Sequence, residues 1–370
     1  MGVTKTDSLF VSYGLFEYDG RLRELIKVSK YIGDKFIYIT RANSTESRIS
    51  KNHCTFSNNT IFKYFLFIIY VLIKAFKMKE IDLLFIDNRR SIIPGIFIYL
   101  IKKPNNIIYD SRELYLFKEM NNLFGKIGSV FECYFIKKSN IIISANKYRA
   151  KIMTEIYNLK KPPLVFKNIR KLEYNNKKIT EKFKSKYKKL LLKDKIKIVS
   201  TSGCLLERNT VNLVSAMKKL NDDKYDLFLV GNCPKKDKEK INEIVNKNNL
   251  KNIYFINKLN NNELKYFIRR CNIGVVSYHK KNLNNKYCAS GKIYEYLNEN
   301  LPVVTTENIP LKIICNKYKI GVSDDEFING IKQVSKNYRY FKKNVKIFSD
   351  KINIEKNNKN LAIEIIKNLN

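Results

Sequence analysis

Two short segments combine residue types that suit an anionic ligand. The first is Ser202-Gly203-Cys204-Leu205-Leu206-Glu207-Arg208-Asn209. A glycine lets the backbone come close to a ligand. The helix expected after it offers free N–H groups and a positive dipole end to an anion. Arg208 adds a guanidinium that can fork two hydrogen bonds onto a diphosphate. The second segment is Ser290-Gly291-Lys292-Ile293-Tyr294-Glu295-Tyr296-Leu297. Lys292 and Glu295 stand three apart and so share a helix face. A lysine in a first helical turn opposes the macrodipole, and a bound anion removes that conflict. Glu295 then suits a pair of ribose hydroxyls, the role of an acidic residue in dinucleotide folds. Taken singly, the first segment also reads as a plain glycine turn and the second as a surface Lys–Glu pair.

A third segment, Tyr109-Asp110-Ser111-Arg112-Glu113-Leu114, follows an apolar run. Asp110 or Glu113 could orient an acceptor hydroxyl or take its proton. Asp110 equally reads as a strand-end residue that caps local N–H groups. Arg112 cannot act as a base near neutral pH. Of the two histidines, His53 lies in a polar stretch and reads as solvated. His279 follows a predicted strand and reads either as a ligand contact or as a loop histidine. There is no Asp-x-Asp pair to hold a metal–nucleotide complex. The charge of a bound anion would then be met by Arg208, Lys292 and helix dipoles, with no metal and no cofactor expected.

These segments need elements to position them. Short apolar, β-branched runs alternate with helical patterns along most of the chain. The predicted strands of the first half are Leu9–Tyr13, Phe36–Thr40, Leu83–Asp87, Ile107–Asp110, Ile141–Ser144 and Leu164–Lys167. Those of the second half are Ile196–Ser200, Leu227–Gly231, Ile253–Ile256, Ile273–Ser277, Val303–Thr306 and Ile320–Val322. Runs without strict alternation suit strands covered on both faces, and βα alternation implies parallel sheets. The expected organisation is a Rossmann-like domain over 1–170, a lysine-rich linker and helix over 171–195, a second Rossmann-like domain over 196–340, and a helical tail over 341–370 that packs back towards the first. Each domain is expected to hold six strands, with ligands at the carboxyl ends of the strands.

Composition narrows the partners. The 370 residues carry 71 Lys and Arg against 34 Asp and Glu, a net charge of +37. Such a charge attracts anionic partners, with an anionic membrane surface ranked ahead of nucleic acid, for which no binding signature is present. Solvated faces and an Asn-, Lys- and Ile-rich composition account for the charge equally well. The seven cysteines are scattered with no CxxC pair, so neither a disulfide framework nor a zinc site is expected, and a reducing compartment is. Met1–Ser8 is polar and reads as no signal peptide. The most apolar run, Tyr64–Ile73, is too short to span a bilayer and reads as a buried helix ahead of an interfacial membrane helix.

Together the motifs resemble the retaining GT-B glycosyltransferases, especially glycosyltransferase family 4. Their donor domain commonly runs strand, glycine turn, basic residue, then a K-x-x-E-Y-L helix and a Pro-Val-Val strand. Here these are Ser202-Gly203, Arg208-Asn209, Lys292-Ile293-Tyr294-Glu295-Tyr296-Leu297 and Pro302-Val303-Val304, with Leu227–Gly231 as the strand between. In the first half, Gly14, Asp19-Gly20-Arg21, the Tyr109–Leu114 segment and Asn168 fit more loosely.

The resemblance implies two facing Rossmann-like domains and a nucleotide-sugar donor as substrate. It places Gly203, Arg208, Lys292 and Gly14 at the donor diphosphate and Glu295 at the ribose. Asp110, Glu113 and Arg112 fall at the catalytic position, and His279 and Tyr287 near the sugar. It implies a glycan or lipid-linked acceptor at the cytoplasmic face of the membrane. Two positions depart from the pattern. Tyr287 stands where many members carry a first glutamate, and Arg112 where relatives usually have histidine. The alternatives are a non-hydrolysing sugar-nucleotide epimerase of the same fold, a nucleotide-sugar-binding protein without chemistry, and a nucleic-acid-binding protein.

Overall fold

Asp19, Asn146 and Asn260 mark three helix starts by accepting bonds from backbone N–H groups of the first turn, and Glu263 completes a capping box with Asn260. The computed structural model describes residues 7–42, 53–56, 62–172, 179–192, 194–220 and 223–369. Its contacts divide the chain into two units, Met1–Asn168 with Ile354–Asn370, and Ile169–Asn353.

In the first unit the order is β1 (Ser8–Leu15), α1 (Gly20–Ile32), β2 (Phe36–Arg41), β3 (His53–Phe56), α2 (Lys63–Phe76), β4 (Leu83–Asp87), α3 (Ile92–Lys102), β5 (Asn106–Ser111), α4 (Leu123–Lys138), β6 (Ile141–Ser144), α5 (Lys147–Tyr157) and β7 (Leu164–Val165). The second unit runs α6 (Glu181–Leu191), β8 (Ile196–Ser200), α7 (Thr210–Met217), β9 (Tyr225–Val230), α8 (Lys235–Lys247), β10 (Ile253–Ile256), α9 (Asn261–Ile268), β11 (Ile273–Val276), α10 (Leu283–Lys286), α11 (Gly291–Asn298), β12 (Val303–Thr305), α12 (Ile309–Tyr318), β13 (Gly321–Ser323), α13 (Ile328–Lys336) and α14 (Tyr338–Asp350). The last helix, α15 (Ile354–Leu369), belongs to the first unit. Part of the lysine-rich stretch before α6, residues 173–178, lies outside the described residues.

The sheets are parallel throughout. Their orders are β3-β2-β1-β4-β5-β6-β7 and β10-β9-β8-β11-β12-β13. In each, the order reverses beside the first strand of the unit, and in open α/β sheets the carboxyl edge at such a reversal is where ligands commonly bind. Burial on both faces explains the unbroken apolar runs. In the second unit Ile198, Leu227 and Leu229 join one core cluster, while the neighbouring Val199, Phe228 and Val230 join the other. In the first unit, Phe10, Phe85, Ile108 and Ile143 pack with Leu22 and Leu25 of α1 and with Leu361 and Ile365 of α15.

Three expectations are corrected. The first sheet has seven strands instead of six, because β3 is a four-residue edge strand paired to β2. His53, expected to be solvated, lies in β3, is 1% exposed and shares a 2.7 Å hydrogen bond with Thr40 Oγ1. The run Tyr64–Ile73 is helical, as expected, but is not a buried helix. Of α2 only Phe67, Val71 and Ala75 are buried.

Candidate functional site

At the carboxyl edge of β8 the chain turns through Gly203 at φ +62°. A Cβ there would stand 2.1 Å from the Asn232 carbonyl oxygen, so only glycine fits. The Gly203 N–H donates to Val230 O at 3.0 Å and the Cys204 N–H to Asn232 O at 3.2 Å. These bonds hold the turn against the loop that follows β9. A disulfide between Cys204 and Cys233, with Cα atoms 4.7 Å apart, fastens the same two loops. This disulfide runs against the expectation of no disulfide framework, on which the expected reducing compartment also rested. The partners are 29 residues apart in sequence, and only adjacent strand ends bring them together.

The Lys-x-x-Glu-Tyr-Leu segment forms α11, and it reaches the same turn. Lys292 donates to Thr201 O, and its Nζ also lies 3.4 Å from Ser202 Oγ. Burial lowers the Lys292 ammonium to about 8, against the opposing pull of Glu295. Tyr296 is fully buried under Gly274. Its hydroxyl accepts from the Thr201 N–H at 2.8 Å and donates to Val199 O at 3.3 Å. The tyrosine of the motif therefore props the loop that the lysine contacts. At the N-terminus of α11, Ser290 Oγ is buried and has no hydrogen-bond partner among the described residues. This hydroxyl stands at a helix start that has no side-chain cap, one residue before Lys292's neighbour Gly291.

Arg208 closes another side. Its guanidinium stacks 4.3 Å from the centre of the Tyr278 ring, and its carbonyl accepts from Ser277 Oγ. His279 accepts from the Lys281 N–H at Nδ1 and lies 3.2 Å from Asn285 Nδ2 at Nε2. Burial and the nearby Lys281 hold its pKa below the ordinary 6.5. Glu295 is held by Arg170, with Nε to Oε1 at 2.7 Å. Tyr287 caps α10, half-buried, under the Lys286 ammonium at 5.9 Å.

In the first unit the acidic segment ends β5. Asp110 is fully buried and takes a bidentate pair from Arg21, at 2.8 and 2.6 Å. Arg112 pairs with Asp87 and Asp19, and its Nε lies 3.8 Å from Asp110 Oδ2. Burial works against its charge, but these carboxylates outweigh burial and raise its pKa. Glu113 keeps an exposed carboxylate, 3.3 Å from Arg149 Nη2. Gly14 lies in β1, where an added Cβ would stand 2.8 Å from Asp19 Oδ2.

A pocket of about 440 Å³ opens here, lined by Tyr13, Asn88, Arg90, Arg112, Glu113 and Glu132 among others. Asn88, Arg90 and Glu132 were missed by sequence reasoning. So was Asp87, which accepts from Ser12 Oγ at 2.7 Å. Burial raises Asp87 to about 6 and Glu132 to about 7. The available signal was an Asp-Asn pair ending an apolar strand. Asn88 sits at φ +65°, a conformation that costs energy and is concentrated at functional sites.

No protein-family model matches the chain, and no curated protein matches it in sequence. Solved structures do match it in fold. Sucrose-phosphate synthase from Thermosynechococcus elongatus superposes with a TM-score of 0.74 at 14% identity, covering 97% of this chain and 98% of that one. HepE from Anabaena, in complex with UDP and glucose, gives 0.72 at 13% identity over 97% and 99%. WaaG, a glycosyltransferase involved in lipopolysaccharide biosynthesis, gives 0.65 at 13% identity over 97% and 99%. The chain has the GT-B fold. Within this GT-B chain, Gly203, Lys292, Glu295 and Arg208 all belong to the second unit, around the ends of β8 and β11 and the start of α11. Asp110, Arg112, Glu113 and Gly14 belong to the first. Among the described residues there is no cluster of His, Cys, Asp and Glu able to hold a metal ion.

Proposed function

We propose that this chain is a glycosyltransferase. It takes a sugar from a nucleotide-sugar donor bound by the second unit and passes it, with retained configuration, to a glycan or lipid-linked acceptor bound by the first. The observation that carries this reading is the meeting of the Gly203 turn and the start of α11 through Lys292, beside the unpaired Ser290 hydroxyl. It stands in a fold shared with a structure that holds UDP and glucose.

The diphosphate would take the place that Lys292 now fills with backbone and hydroxyl oxygens. As the glycosidic bond breaks, the leaving diphosphate gains negative charge, met by Lys292, Arg208 and the N–H groups of α11. Contacts that strengthen at that moment lower the barrier. Glu295 would accept the ribose hydroxyls, and His279 and Tyr287 would lie towards the sugar. On the acceptor side Glu113 is the better placed carboxylate, since both oxygens of Asp110 are committed to Arg21. Arg112 would act by fixing Asp87 and Asp19.

We place the enzyme at the cytoplasmic face of the membrane, working on a cell-surface polysaccharide, without a metal. A nucleotide panel read by thermal shift tests the donor site first. Transfer of labelled sugar from the stabilising nucleotide's sugar conjugate then tests the activity, and the anomeric configuration of the product tests retention. Turnover in chelator supports metal independence; loss in EDTA restored by magnesium or manganese overturns it. Conversion of the donor sugar with no acceptor present would identify an epimerase instead.

A further inference from the structure

Most of the exposed large apolar side chains among the described residues fall between Phe62 and Tyr134. They form stripes on three successive helices that pack side by side, α2 on α3 and α3 on α4. On α2 the exposed positions are Phe65, Leu66, Ile69, Ile73 and Phe76, spaced as one helical face. Phe97, Leu100 and Ile101 continue the surface on α3, and Leu123, Phe124, Ile127, Val130 and Phe131 on α4. The exposure is large: 61% for Phe65 and 87% for Phe124. Each helix thus shows apolar residues to the sheet on one side and to the outside on the other. Contiguous apolar surface of this kind marks a docking face.

The charge on these helices decides what docks. Helices α2 and α3 contain no Asp or Glu, and α4 contains only Glu132, which is 1% exposed and bonded to Tyr109. Their charged residues are otherwise all lysine, among them Lys63, Lys74, Lys126, Lys137 and Lys138. An apolar centre on helices whose exposed charges are all cationic complements anionic headgroups over hydrocarbon. No described helix is long and apolar enough to cross a membrane, so the contact is one of lying on the surface.

We infer that the outer face of α2, α3 and α4 docks on an anionic lipid bilayer. The face also borders the pocket of the first unit. The Tyr64 hydroxyl, in the first turn of α2, donates to Arg90 O at 2.7 Å, and Arg90 lines that pocket. Docking therefore sets the pocket beside the headgroup layer, where a lipid-linked acceptor carries its sugar. This last step rests on the function proposed above; the docking itself does not.

The chain has no tryptophan, so Phe124→Trp introduces a single fluorescent reporter at an exposed position. Mixed with vesicles of phosphatidylcholine and phosphatidylglycerol in equal parts, this variant is expected to show blue-shifted emission quenched by brominated lipid tails. Tyr340→Trp, exposed on the second unit, is expected to show neither. In co-sedimentation, Phe65→Ser with Phe124→Ser should lower partitioning roughly tenfold or more per side chain, the scale of burying a phenylalanine. Lys74→Gln with Lys126→Gln should lower it roughly fivefold per lysine at low salt, with little effect at high salt. No binding to these vesicles, or equal binding by the Phe65→Ser, Phe124→Ser variant, overturns the inference. So does a wild-type dimer that this variant abolishes, since the face would then be covered by a second copy. An active transferase that ignores vesicles removes the docking and keeps the function; a vesicle-bound protein that transfers no sugar does the reverse.

Discussion

Arg170 occupies the carboxylate of Glu295, with Nε 2.7 Å from Oε1. The contact is a charge pair, not an aligned hydrogen bond, for the same nitrogen has no hydrogen-bond partner. Gly291 makes room for it, since a Cβ there would stand 2.4 Å from Arg170 Nε. A ribose that binds Glu295 must share or displace this guanidinium. Glu295→Ala is expected to weaken nucleotide binding by roughly 1.5–3 kcal/mol, the scale of hydrogen bonds to a charged group. Arg170→Ala is expected to leave it unchanged or tighten it. Isothermal titration of both variants checks this, and unchanged affinity in a folded Glu295→Ala protein removes the ribose assignment.

Lys292 gives a pH signature. Its folded value of about 8 lies below the ordinary 10.5. Between these values the unfolded chain binds more protons, so stability rises with pH across that window. Lys292→Met should flatten the rise in thermal melts taken from pH 7.5 to 10. Nucleotide affinity should run the other way, falling as pH climbs past about 8 and the ammonium is lost.

Arg208 and Lys292 should act on one developing charge. Each alanine variant is expected to lower turnover by about 10²-fold or more, the loss seen on removing one preorganised oxyanion donor. The double variant should lose less than the product of the two. Near-normal turnover in both single variants would show that the diphosphate lies elsewhere.

Arg112→His removes the permanent cation between Asp87 and Asp19. Asp87 is then a buried carboxylate without its cation, so stability should fall by about 3–5 kcal/mol in denaturant melts at pH 7.5. The loss should shrink towards pH 5, because the Asp87 carboxyl, raised to about 6, is then protonated. A stable and more active Arg112→His protein would mean that Arg112 does not hold this cluster together.

Reduction of the Cys204–Cys233 disulfide should lower stability by about 2–4 kcal/mol, the usual range for a loop of this size. Equilibrium melts with and without dithiothreitol measure it. Cys204→Ser with Cys233→Ser should match the reduced protein and be indifferent to reductant.

The two parallel sheets were legible because their strands are covered on both faces and leave unbroken apolar runs. The glycine turn and α11 were legible because a glycine, a lysine and a glutamate stand at fixed offsets from predicted strands. What escaped reading depends on distance in sequence or on a missing neighbour. Arg112 meets Asp87 and Asp19, 25 and 93 positions away. Strand β3 is four residues long and half-buried, too short for a period to register. Helix α2 looks like core because its sequence is apolar all round, and nothing local tells an outward stripe from an inward one.

The position of α15 also bears on biosynthesis. It supplies Leu361, Ala362 and Ile365 to the core of the first unit, and Asn358 bonds Glu24 at 2.6 Å. Yet it is translated after the whole of the second unit. The usual order, in which the earlier domain folds first on the ribosome, is therefore inverted for completion. The second unit has all its strands and helices while the first still exposes the seat of α15 along α1. A nascent chain halted before Ile354 should remain protease-sensitive in its first unit and protected in its second.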